Sequence, residues 1–97
     1  MSKFFQSIED IKLANKNRGY HFFDASTMRF FHSRIGNAVY GGRFFITSEQ
    51  QEYNTPRLYT IRECSESGDI NTVGTFQEYE SSIQAKRAIL KMLQEQE

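Results

Sequence analysis

The sequence predicts an α+β fold: a mostly antiparallel sheet of about four to five strands with helices packed on one face, in the order α-β-α-β-β-β-β-α. Three observations carry this. Apolar residues near both ends recur at three- and four-residue steps, the period of an amphipathic helix. Between them lie runs rich in β-branched and aromatic residues, which suit a pleated, half-buried surface. Glycine-bearing turns short enough for hairpins separate those runs, so neighbouring strands run antiparallel.

Each element has its own signal. Phe4, Phe5, Ile8, Ile11 and Ala14 share one helical face, and Gly19 after a polar run is a stop. Tyr20-His21-Phe22-Phe23 reads as a short strand. Asp24 or Ser26 then caps a short helix carrying Met28, Phe30 and Phe31. Ala38-Val39-Tyr40, Gly41-Gly42 and Arg43 to Thr47 form a hairpin, because two glycines accept the positive φ angles of a tight turn. Residues 49–56 are a polar loop ended by Pro56, the one proline. Leu58 to Cys64 is a strand, Ser65 to Asp69 a turn, and Ile70 to Phe76 pairs back. Ser81 and Gln84 match a capping box, which opens a last helix with a stripe of Ile83, Ala85, Ala88, Ile89, Met92 and Leu93.

A chain of 97 residues fits a single domain spanning 1–97. Leu, Ile, Val and Phe supply 23 of those residues, too many for a disordered chain at zero net charge. No apolar run approaches the roughly 18 residues of a membrane span, and polar residues after Phe5 argue against a signal peptide. The single Cys64 forbids an intrachain disulfide and suits a reducing compartment, so a cytoplasmic location is expected.

The neutral total hides an asymmetry. Residues 1–43 hold seven cations against three carboxylates, a net +4. Residues 44–85 hold two against seven, a net −5, and nothing from 63 to 85 is basic. Such a split speaks of partners rather than of fold.

Reactive groups are sparse. His21, His32 and Cys64 are the only strong nitrogen or sulfur ligands, one short of the four that a structural zinc usually takes. There is no Cys-x-x-Cys, His-Glu-x-x-His, phosphate loop or Gly-x-Ser-x-Gly. No catalytic residue, metal ligand or cofactor is therefore expected. An enzyme would need Cys64 within reach of a histidine in a cleft.

Two charged sets remain. The basic and aromatic set is Lys12, Lys16, Arg18, Tyr20, Phe22, Arg29, Phe30 and Arg34. Cations hold phosphates, and exposed rings stack on unpaired bases; equally, the rings belong to a core short of aliphatics. The acidic set is Glu49, Glu52, Glu63, Glu66, Asp69, Glu78 and Glu80. Along a strand rising about 3.3 Å per residue, carboxylates can imitate the charges of a duplex, about one per 1.7 Å; equally, they can be a solvated face. Tyr53, Tyr59 and Tyr79 are candidate anchors beside them, tyrosine being favoured at interface hot spots.

Residues 20–24, Thr27 to Ile35 and Gly41 to Gln50, with Tyr59 to Arg62 and Asp69 to Gly74, carry a further pattern. Its core is Phe-Phe, Thr-Met-Arg-Phe-Phe, Ser-Arg and Tyr-Gly-Gly. The chain resembles a family of small, mostly uncharacterised proteins of phages and mobile elements. Its size and type also look like an anti-CRISPR protein acting on the type I-F surveillance complex. That resemblance implies a non-enzymatic inhibitor in a bacterial host cell, bound to a protein partner with a basic nucleic-acid channel. Competition with target DNA would run through the acidic set, as DNA mimicry. The alternative is a small nucleic-acid-binding accessory protein that uses its basic first half. Acids gathered on one face favour the first; cations gathered around exposed rings favour the second.

Overall fold

The computed structural model of the chain describes residues 5–30, 32–50, 52 and 54–95. Its elements are helix α1 (Ile8–Asn17), helix α2 (Ala25–Phe30), strands β1 (Arg34–Ile35), β2 (Phe44–Glu49), β3 (Leu58–Cys64) and β4 (Ile70–Val73), and helix α3 (Ser82–Glu95). The four strands form one antiparallel sheet in the order β1-β2-β3-β4. The α+β class, the antiparallel sheet and the terminal helices agree with the sequence.

The sequence predicted helices on one face; the structure covers both. Phe45 and Cys64 face α1 and pack with Phe5, Ile8 and Ile11. Phe44, Ile46 and Ile61 face the other way and pack with Ala85 and Ile89 of α3. Successive strand residues point to opposite faces, so Phe44-Phe45-Ile46 needs cover on both. Accordingly, every residue of β2 is buried.

α1 starts at Ile8, later than the apolar spacing implies, because Ser7 caps it by accepting from the Asp10 amide. Phe5 lies outside the helix, and its amide donates to the Gly42 carbonyl. Gly19, at φ +82°, ends α1.

Tyr20 to Phe23 is not a strand. The Tyr20 amide donates to the Asn15 carbonyl, and the Phe22 amide to Asn15 Oδ1 at 3.2 Å. The His21 carbonyl accepts from the Asp24 amide and the Thr27 hydroxyl. These local bonds use groups that a ladder would need. The aromatics serve packing instead: the Phe22 and Phe23 rings meet edge-on at 4.9 Å, and both lie against Phe45. Asp24 precedes α2, as a cap would, but its carboxylate accepts from His21 Nδ1 at 2.9 Å. Phe4 and Phe31 lie outside the described residues.

The Gly41-Gly42 turn forms, with φ of +61° and +77°. Its upstream arm is reduced to one bridge, Tyr40 to Phe44. The paired edge strand lies earlier, where Arg34 and Ile35 oppose Ser48 and Thr47. The Ser65–Asp69 turn closes the second hairpin as expected. The Ser81 cap also forms, the Gln84 amide donating to Ser81 Oγ, while Gln84 Oε1 accepts from the Glu80 amide, one residue before the cap. Ile83 leaves the predicted stripe and is 60% exposed.

Candidate anion-binding cleft

The candidate reactive groups have different surroundings. Cys64 is fully buried in the α1-side core. Burial first, then the Asp69 and Glu63 carboxylates, pushes its thiol up to about 11, which disfavours the nucleophilic thiolate. His21 and His32 are exposed at the two ends of α2. Among the described residues, no cluster of three or more His, Cys, Asp or Glu could hold a metal ion.

The predicted acidic set is dispersed. Glu49 is not a surface residue: it is 1% exposed. Its Oε2 accepts from Thr47 Oγ1 at 2.6 Å and Arg62 Nη2 at 3.2 Å, and its Oε1 from Thr60 Oγ1 at 2.9 Å. Arg62 continues the network to Thr72 and lies over the Phe22 and Phe76 rings. Glu63 is ion-paired with Arg43 at 2.9 Å. Glu66 is exposed in the β3–β4 turn, and Asp69 is half-buried there. Asp69 holds the Tyr20 phenol above its usual value, by a hydrogen bond first and then by its charge. Glu52, Glu78 and Glu80 are exposed around the other end of the sheet, where Tyr79 bridges Tyr59. Tyr79 is half-buried, and its phenol is raised by that burial and by Glu78. Tyr53 lies outside the described residues.

The predicted basic set is dispersed too. Lys16, Arg18 and exposed Tyr20 lie at the end of α1 or just beyond it, Lys12 is half-buried, and Arg29 lies on α2. Phe22 belongs to the core beneath Arg62.

Arg34 has a different setting. It lines a cleft of about 410 Å³ between the segment after β1 and the first turns of α3. Ile46, Ser48 and Tyr59 line it from the sheet, and Tyr40 lines it from the segment before the Gly41-Gly42 turn. Lys86 and the exposed Ile83 come from α3. Arg34 and Lys86 are both exposed, and among the described residues no carboxylate belongs to the lining. Neither cation has an ion-pair partner among the described residues. Arg57 adds a third cation close by, donating to Ser48 Oγ and to the Ser48 carbonyl at 3.0 Å.

Arg34 and Tyr59 were legible as candidates in the sequence. Lys86, Tyr40, Ser48 and Ser82 were not. In sequence Lys86 is one cation on a helix surface, and only the seating of α3 on β2 and β3 sets it across a cleft from Arg34.

The fold and cleft thus define a class: a small sheet protein, covered on both faces, with a concavity lined by cations and tyrosines. The chain belongs to DUF7447, a family of unknown function that matches residues 7–90. No curated protein and no solved structure matches it.

Proposed function

We propose that this chain is a non-enzymatic binding protein for nucleic acid, holding phosphates with Arg34 and Lys86 at the mouth of the cleft. One observation supports it above the rest: both cations line a concavity that carries two tyrosines and, among the described residues, no carboxylate. Cations with no ion-pair partner among the described residues can pair with phosphate, and rings beside them can stack on bases. Such a ligand is met in a cytoplasm, where no membrane span is required; among the described residues, no helix is long and apolar enough to be one. The test is anisotropy of a labelled oligonucleotide titrated with the full chain. Binding should weaken as salt rises, with a log–log slope of about −1.4 if two single-strand phosphates are neutralised. Reversing both charges, Arg34→Glu with Lys86→Glu, should abolish it. Unchanged binding by that folded variant would refute the assignment.

A second reading keeps the competitor of DNA, suggested by the resemblance to inhibitors of CRISPR surveillance complexes. Its support is the exposure of Glu52, Glu78 and Glu80 around one end of the sheet. There they would meet the cations of a basic protein channel. With Glu49 buried and Glu63 paired, fewer acids serve it than the sequence promised. A purified surveillance complex, with and without bound target DNA, tests it: mutual exclusion supports competition, and simultaneous binding defeats it.

A further inference from the structure

The cleft's shape selects one kind of nucleic acid. We propose that it takes a base of a single-stranded nucleic acid, splayed inward against Tyr40 and Tyr59, while the flanking phosphates stay outside on Arg34 and Lys86. This rests on the nucleic-acid reading above and narrows it.

Three features argue for a single strand. First, the charges and rings lie at different depths: both cations are exposed, whereas both tyrosines are half-buried. A strand with its base turned in places phosphate and base in the same order. Second, the site is concave. Reading a duplex in its major groove requires an element that protrudes into a channel about 12 Å wide. A duplex laid across this mouth would reach the cations and leave the tyrosines unused. A cleft of about 410 Å³ is of the size that encloses small organic groups. Third, the exposed Ser82 and Asn37 lie among the lining residues, so a hydroxyl and an amide are present for the polar edge of a base. Unpaired bases present both a face to stack and an edge to bond, and paired bases do not.

The chain has no tryptophan and five tyrosines, two of them in the cleft, so tyrosine emission carries a signal from the site. The full chain would be titrated with single-stranded DNA, single-stranded RNA and duplex DNA, each of about 12 nucleotides per strand. Either single strand should bind about tenfold or more tighter than duplex and quench tyrosine emission. A preference between the DNA and RNA arms identifies the natural source. Tyr40→Leu should lower binding about tenfold by removing the stacking face. Tyr40 also packs against the α3-side core, so a second variant guards against misfolding. Ile83→Glu, at an exposed rim position, should block the mouth in a protein that still folds. Equal affinity for duplex and single strand, both lost on reversing Arg34 and Lys86, would overturn the base-in-cleft inference and leave the phosphate reading standing. No binding in any arm would remove both.

Discussion

Glu49 brings a carboxyl group into a strand buried at every position. It is tolerated because each of its oxygens has a partner: Thr47 and Arg62 on one, Thr60 on the other. The turn after β4 closes over the group, with Gln77 donating from its amide to Thr60 Oγ1 and from Nε2 to the Glu49 carbonyl. Removing one partner of such a pair leaves the other buried and uncompensated. Arg62→Ala is expected to cost about 3 kcal/mol or more, read as a lower urea midpoint. The sequence hid this network. Thr47-Ser48-Glu49 reads as a strand dissolving into a polar loop, and Arg62 is 13 residues from Glu49.

Cys64 belongs to the same scale. Its folded thiol titrates at about 11, against an ordinary value of 9.0. Between those values the unfolded chain loses the thiol proton and the folded one keeps it. Stability should therefore be intact below about pH 9 and fall as pH rises toward about 11. Cys64→Ala should flatten part of that decline when urea midpoints are compared across the window. An identical decline in the variant would exclude the thiol as its source. The sequence placed Cys64 at the end of a strand, and its complete burial there suits a small apolar side chain.

At the scale of elements, the main unexpected feature is how α1 is fastened. Asn15 is 2% exposed. Its Nδ2 donates to the Gly68 carbonyl at 2.8 Å, and its Oδ1 accepts from the Phe22 amide. One side chain thus ties α1, the aromatic turn and the β3–β4 turn together. In sequence it stood in a polar run before a helix stop, with nothing to mark it. Asn15→Ala should cost about 2 kcal/mol or more, since it strips a buried amide and a buried carbonyl of their partners. Gly68 meets α1 so closely that an added Cβ would lie 2.6 Å from the Ala14 carbonyl oxygen, at a φ of +96°. Gly68→Ala should therefore lower the melting temperature, and a neutral result would contradict the fastening. The Gly41-Gly42 turn, the second hairpin, the last helix and its cap were legible, because their signals are local; the edge strand at Arg34–Ile35 was not. The strand expected at 20–23 failed because its amides found partners within a few residues.

At the scale of the whole molecule, sequence charge did not map onto separate faces. The basic first half and acidic second half interleave: Arg43 pairs with Glu63, and Arg18 packs its stem against Gly68 in the acidic turn. What the fold concentrates instead is a small cationic concavity made from distant parts, Arg34 on an edge strand and Lys86 on the last helix. No linear pattern announces such a site, since its members are 52 residues apart.

The central claim is that nucleic acid is held at this cleft. Its most direct test is amide chemical-shift mapping of the full chain titrated with a short single-stranded oligonucleotide. Perturbations should concentrate at Gly36 to Ala38, Ser48, Ser82, Ile83 and Lys86. Perturbations confined to Glu66–Asp69, or to Glu78–Glu80, or none at all, would contradict it.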